Sequence, residues 1–285
     1  MKLFDSHCHL DDAVFDGDFQ AVVSRMRKVG VHCAVVVGVN EESSRKALRR
    51  AEDFQGLFAS VGVHPHDADS CSHRVVDRLR RLAEGAKVKA WGEIGLDYNR
   101  MYSPKKTQET WMANQLDAAR SLDLPVIFHE RDSGGRFLEL LRAHSPDGVE
   151  GVVHCFSGNR SELDAYLDMG LHIGVTGIIT VRGRGAALRE LVRQIPEERL
   201  LVETDAPYLT PVPERNRHRR NEPAFVRSVL LKLAEARQAE PEALAEVVWK
   251  NTCRLFGVTE NSPDIQSTNT ETGPNRQSAN VGVKL

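Results

Sequence analysis

Histidines and acids close the apolar runs of this chain. The first run, Leu3-Phe4, leads straight into Asp5-Ser6-His7-Cys8-His9. Side chains alternate across a strand, so Asp5, His7 and His9 are expected on one side and Ser6 and Cys8 on the other. A carboxylate beside two imidazoles suits a divalent metal with nitrogen and oxygen ligands. Later runs end alike: 57–63 in His64, 88–91 in Gly92-Glu93, 125–128 in His129, 151–153 in His154, and 199–202 in Glu203-Thr204-Asp205. Any one of these has an ordinary explanation, a hydrogen-bonded core histidine or a helix cap. Their concurrence at the same end of successive runs points to a metal site.

The set divides naturally. His7, His9 and Asp205 suit one ion, His129 and His154 a second, with Glu93 bridging. Two ions ~3.5–4 Å apart generate a hydroxide nucleophile and clamp the attacking and leaving oxygens of a displacement. Coordination lowers the pKa of bound water, and Asp205 is the carboxylate best placed to orient that water and take its proton. Glu203 shares the side of Asp205 if the strand stays extended; a further ion, the leaving group, support of a ligand or a salt bridge are its candidate roles. His64 falls outside the ligand set and is assigned a substrate phosphate or carbonyl.

For these residues to meet, the runs must be parallel strands ending on one face. Phe19, Val22, Val23, Met26 and Val29 recur at helical spacing within 18–29, and Val75, Val76, Leu79 and Leu82 do so within 72–83. Further helices are expected at 41–54, 105–122, 134–144, 161–169 and 186–194. The continuous apolar stretch 33–38 reads as a strand covered on both faces, typical of parallel sheets. About eight strand–helix alternations predict an α/β fold, a TIM-type (β/α)8 barrel with its active site at the strand C-termini. Two extra helices are expected at 223–239 and 241–256. Residues 1–258 are read as one hydrolase domain. Residues 259–285, rich in Ser, Thr, Asn and Gln, are read as a disordered tail.

Of the 285 residues, 41% are hydrophobic and 27% charged, ordinary for a globular protein. A net charge of −2 argues against a globally basic nucleic-acid binder while leaving room for a local basic patch. Five cysteines without a Cys-x-x-Cys pair give neither a disulfide framework nor a zinc ribbon, and they fit a reducing compartment. The chain shows neither an apolar leader nor a membrane-spanning run. A soluble, cytoplasmic protein with no obligate protein partner is expected.

The motifs taken together resemble the TatD family of metal-dependent deoxyribonucleases, within the amidohydrolase-like superfamily of TIM barrels. They are Asp5-Ser-His7-Cys-His9-Leu10, Gly62-Val-His64-Pro65, Gly92-Glu93-Ile-Gly-Leu-Asp97, Pro125-Val-Ile-Phe-His129, His154-Cys-Phe-Ser-Gly158 and Glu203-Thr-Asp205-Ala-Pro-Tyr-Leu-Thr-Pro211. Arg220-Asn221-Glu222-Pro223 and Asn251-Thr-Cys-Arg-Leu-Phe256 also match, so the resemblance runs over 1–258. It implies that His7, His9, Glu93, His129, His154 and Asp205 are metal ligands. Where many amidohydrolase relatives bridge their ions with a carboxylated lysine, Glu93 points to the TatD branch. There are departures: Glu130 precedes Arg131-Asp132 where the family often has Ser or Thr, and 213–219 looks longer and more basic than the usual link.

The resemblance implies hydrolysis of DNA phosphodiesters, in particular 3′–5′ exonuclease action on single strands, with Mg²⁺ or Mn²⁺ for activity; because imidazole-rich sites bind Zn²⁺ more tightly, Zn²⁺ is the alternative bound ion. Arg182, Arg184, Arg215, Arg217, Arg219 and Arg220 fall in loops after the last two strands, on the expected active face. Guanidinium groups suit phosphates, and aromatic platforms suit unpaired bases. Tyr98, Tyr102 and Tyr208 are the candidate platforms, whereas Phe156 reads better as core. Arg182, Arg220, Asn221, Tyr98 and Tyr208, with His64, make up the expected substrate contacts. The same chemistry would serve the alternative, hydrolysis of a small amide or ester or of an aminoacyl-tRNA ester. A non-catalytic metal-bound scaffold is disfavoured by Asp205, since ligation alone requires no carboxylate beside an open position.

Overall fold

In the computed structural model, which describes residues 1–146 and 148–259, eight parallel strands pair edge to edge in chain order. They are β1 (Leu3–Cys8), β2 (Val31–Val37), β3 (Leu57–Val61), β4 (Val88–Asp97), β5 (Val126–Arg131), β6 (Gly151–Val153), β7 (His172–Val175) and β8 (Leu200–Val202). Helices α1 (Phe19–Lys28), α2 (Glu41–Asp53), α3 (His73–Ala83), α4 (Lys105–Ser121), α5 (Arg136–His144), α6 (Arg160–Asp168) and α7 (Ala186–Leu191) separate them in turn. Then come α8 (Val226–Arg237) and α9 (Pro241–Leu255). This is the expected barrel. Side-chain caps start several helices where the sequence turns polar: Asn40 and Ser72 accept backbone N–H groups, and Asn159 with Glu162 forms a capping box.

Alternation along the strands builds two cores. Phe4, Val35, Phe58, Ala90, Ile127, Val152 and Leu201 form an inner cluster with Trp249, Cys253 and Phe256. Their neighbours Val36, Ala59, Trp91, Phe128, Val153 and Val202 belong to the outer cluster shared with the helices. α9 therefore stoppers the barrel at the N-terminal end of its strands, with Phe4 5.8 Å from Trp249 and 6.4 Å from Phe256 between ring centres. That leaves the opposite end open for a site.

Two strands change face on the way up. The β1–β2 register shifts between Asp5 and Cys8, and the β4–β5 register between Trp91 and Ile94. An extra residue at such a bulge exchanges inward and outward positions. Below the shifts Phe4 and Ala90 are inside; above them Cys8, Ile94 and Leu96 join the outer core. His7, His9 and Glu93 are left to converge at the mouth. The expectation that Asp5 accompanies His7 and His9 fails for this reason. Its carboxylate instead accepts the Thr204 N–H at 2.8 Å and the Thr204 hydroxyl at 2.6 Å.

That contact belongs to the seam between first and last strands. At the rim the Asp205 N–H donates to the His7 carbonyl (3.0 Å) and the His9 N–H to the Ala206 carbonyl (2.6 Å). Lower down side chains bridge the gap: the Ser6 hydroxyl lies 3.1 Å from both the Val202 carbonyl and the Glu203 carboxylate. The tail expected as disordered lies outside the described residues beyond 259. Among those described, no helix is long and apolar enough to cross a membrane.

Candidate metal centre

Glu93 sits at the middle of the mouth, nearly inaccessible, and five imidazoles face its carboxylate. Oε1 is 2.8 Å from His129 Nδ1, 3.0 Å from His154 Nε2 and 3.3 Å from His64 Nε2. Oε2 is 3.4 Å from His7 Nε2 and 3.8 Å from His9 Nε2. Asp205 Oδ1 stands across the same two rings, 3.8 Å from His7 and 3.4 Å from His9. The two Nε2 atoms are themselves 3.2 Å apart. Four donors held ~2.1 Å from one ion in a tetrahedron stand about 3.4 Å from each other. The edges of the His7–His9–Asp205–Glu93 group bracket that value. The donor set fits a cation there, and Glu93, His129 and His154 form a second group of converging ligand atoms.

Charge in the cluster favours the same occupant. Burial alone would raise the Glu93 carboxyl, but the positive His154, the imidazoles of His64 and His7 beside it and the bond from His129 hold it well below the usual range. Burial likewise works against ionised Asp205, and the bond from His9 with nearby His154 charge brings it down. Burial lowers His7 and takes His64 down to about 3, so the His64 ring is neutral. Burial opposes a charged His9 too, yet Asp205 and Glu93 lift it to about 9. Protons and metal ions thus compete for one set of donors.

Second contacts fix which nitrogen each ring presents. His9 Nδ1 lies 3.1 Å from the Val37 carbonyl, so it carries the proton and Nε2 offers a lone pair to the cluster. His64 is the reverse: Nδ1 accepts the His66 N–H at 3.0 Å, so Nε2–H points into the mouth as a donor. Glu203 does not share a face with Asp205. Asp205 turns left-handed at φ 56°, and the chain behind it is no longer extended. Glu203 is instead fully buried, accepts the Cys155 N–H at 2.6 Å and lies 3.3 Å from His154 Nδ1, bracing that ring from behind.

Two residues, Asp97 and His66, escaped the sequence reading. Asp97 accepts from the N–H groups of Asn99 and Arg100, faces His66 Nε2 at 2.7 Å and His129 Nε2 at 3.3 Å, and is held far below the usual carboxyl range: burial resists, and the bonds from His129 and His66 overcome it. The signal was present in the spacing, since Glu93 and Asp97 are four apart in one strand, as His64 and His66 are two apart. Gly95 lies between the two acids at φ 144°, where a Cβ would meet the His129 carbonyl at 1.9 Å. The close approach of β4 to β5 requires its bare backbone.

Above this floor opens a cleft of ≈ 780 Å³ lined by His9, His64, His66, Glu93, His129, His154 and Asp205 among others. Tyr102 and Tyr208 stand in its walls 65% and 54% exposed, so their rings are free to stack. Tyr208 lies 6.0 Å from His9 and Tyr102 4.7 Å from His66, ring centre to ring centre. Arg100, Arg131 and Arg184 also line the cleft.

Other expected substrate contacts are placed elsewhere. The Tyr98 hydroxyl donates to Glu109 at 2.6 Å and Lys105 covers its ring, away from the lining. Arg220 is tied to Asp18 at 2.7 Å and to the Val14 carbonyl at 2.8 Å. The buried Asn221 amide donates to the carbonyls of Thr204 and Tyr208, pinning the turn that carries Asp205. Arg182 is exposed but does not line the cleft, and Phe156 is core.

Residues 4–257 match the family described as TatD related DNase. A protein named 3'-5' ssDNA/RNA exonuclease TatD from Klebsiella pneumoniae is 42% identical over 258 residues, 90% of this chain and 98% of the relative. Its namesake from Pantoea ananatis is 43% identical over 259 residues, covering 90% and 100%. The crystal structure of the TatD homolog YJJV from Escherichia coli is similar with a TM-score of 0.82 at 32% identity, over 90% of this chain and 98% of that one.

Proposed function

The chain belongs to the TatD-related DNase family, and on that premise we propose that it hydrolyses phosphodiester bonds of single-stranded DNA from the 3′ end, with two divalent cations held about Glu93. The observation that carries this reading is the carboxylate of Glu93 enclosed by five imidazoles, with Asp205 opposite, on the floor of a wide cleft. The names of relatives at 42% and 43% identity support the substrate and its polarity.

His7, His9 and Asp205 would hold one cation and His129 and His154 the other, with Glu93 between. When bound, such cations supply Lewis acidity and make water a nucleophile near neutral pH. Mg²⁺ or Mn²⁺ fits turnover, and an imidazole-rich set retains Zn²⁺ more tightly. Asp205, at the edge of the cleft, accepts the proton of the attacking water. His64, neutral with Nε2–H facing inward, donates to a non-bridging phosphate oxygen. Tyr102 and Tyr208 stack on bases to either side of the floor, and Glu203 and Asp97 hold His154 and His129 in place. Residues 1–258 form the catalytic unit. Five free cysteines suit a reducing cytoplasm.

The test uses metal-stripped protein, single-stranded DNA labelled at either end, and Mg²⁺, Mn²⁺ or Zn²⁺ added back. Stepwise loss from the 3′ end, restored by metal and reduced about 10²–10⁴-fold by Asp205→Asn, is expected. Silence with every ion would transfer the assignment to a small ester or amide.

A further inference from the structure

A second cavity of ≈ 420 Å³ opens beside the catalytic cleft and shares Arg184, Tyr208 and Leu209 with it. It lies at the scale of a small-molecule site. The linings of the two differ in charge. The cleft holds Asp11, Asp12, Asp67, Asp97, Glu130 and Asp205 besides Glu93; the annexe holds Arg184, Arg215 and Arg219 and not one carboxylate. Among the described residues these three guanidiniums have no carboxylate within 4.0 Å, whereas Arg25, Arg78, Arg136 and Arg220 are all ion-paired. The acid nearest in sequence, Glu214, is turned to α8, where it accepts the Ser228 hydroxyl at 2.5 Å.

The wall between cleft and annexe is Tyr208, and it is rigidly tied to the reaction centre. Its N–H donates to the Asp205 carbonyl at 2.8 Å, and its own carbonyl accepts the Asn221 amide at 2.6 Å. The loop that brings Arg215 and Arg219 is docked by the Val212 N–H, which donates to the Thr180 hydroxyl at 2.9 Å, and is turned on itself by the Arg215 N–H, which donates to the Pro211 carbonyl at 2.8 Å.

We infer that the annexe holds the sugar–phosphate backbone of the unreacting part of the strand. Arg215 and Arg219 pair with phosphates beyond the scissile one, Arg184 spans the junction, and the Tyr208 ring stacks on the base between them. The inference rests on the nuclease reading for its ligand class and goes beyond it by assigning a place to the rest of the strand. The charge division supports that placement. Phosphates over the acidic floor depend on cations to be held there, while phosphates in the annexe meet unpaired guanidiniums directly.

The test compares the full-length Arg215→Ala/Arg219→Ala protein with its parent on single-stranded DNA of two and of ten nucleotides. The loss in kcat/KM on the ten-nucleotide strand is expected to exceed that on the dinucleotide about tenfold. In parallel, a labelled ten-nucleotide strand is titrated by fluorescence anisotropy onto Asp205→Asn protein with and without the two arginines. The slope of log affinity against log salt should fall by ~1.4, or ~0.7 for each lost phosphate contact to a single strand. Equal loss on both lengths, or an unchanged salt slope, overturns the annexe. If the parent cleaves neither strand while the arginine-dependent slope persists, the annexe stands and the nuclease reading falls. Absence of strand binding by the Asp205→Asn protein overturns the annexe as well.

Discussion

Arg184 and Arg220 both follow the last two strands, and only their partners tell them apart. Arg220 grips Asp18 through both terminal nitrogens, at 2.8 and 2.7 Å, and lies over the Phe15 ring. Arg25 then links Asp18 to Glu222. The bond from Arg220, with help from Arg25, holds the Asp18 carboxyl down to about 2. This network ties α1 to the segment entering α8. Arg220→Ala should therefore lower stability by ~1 kcal/mol, as for a partly exposed ion pair, and leave the salt dependence of kcat/KM untouched. Urea midpoints and a salt series at fixed substrate check both halves, and a flattened salt slope would return Arg220 to the substrate. Sequence could not make this distinction, because the deciding residue lies 202 positions away.

At the level of the strand, legibility depended on whether alternation ran uninterrupted. In β5 the order Ile127 inside, Phe128 outside, His129 inside follows the plain rule, and so does Val152, Val153, His154 along β6 and the residue that follows it. The place of those two histidines could be read directly. In β1 and β4 a bulge reverses the count halfway, which no local pattern announces; hence Asp5 was misplaced while His7 and His9 were not. After β8 the left-handed turn at Asp205 separated it from Glu203. The adjoining strand has adapted to the buried acid. A Cβ on Gly174 of β7 would meet the Glu203 carboxylate at 2.6–2.7 Å. Gly174→Ala should cost ~1–3 kcal/mol by overpacking, and it should reduce bound metal by displacing the brace of His154. Metal content per chain measured beside the urea midpoint decides the point; full metal at reduced stability would make Glu203 a mere core acid.

The molecule as a whole was the easiest part to read, because eight apolar runs alternating with amphipathic helices leave few architectures open. The role of α9 was not readable: its apolar face says that it is covered, not that it closes the barrel. Stability of the whole should carry a pH signature from His172, remote from the centre. Burial, reinforced by the Arg199 charge, lowers this ring from 6.5 to about 4. The unfolded chain therefore takes up a proton that the native one refuses, and stability present above pH 6.5 is lost as pH falls toward 4, by on the order of 3 kcal/mol. His172→Gln should flatten that part of the curve, measured by urea unfolding in chelator at pH 7 and pH 4.5. Parallel curves for variant and parent would refute it.

The seam between first and last strands reaches into how the enzyme is made. His7 and His9 leave the ribosome first, whereas Asp205 and the edge that β1 needs follow almost two hundred residues later. A nascent chain of the first seven strands holds several imidazoles and Glu93 but lacks Asp205, the residue proposed to take the proton. On that role, catalytic competence arrives all at once and late in synthesis, when the last strand closes on the first.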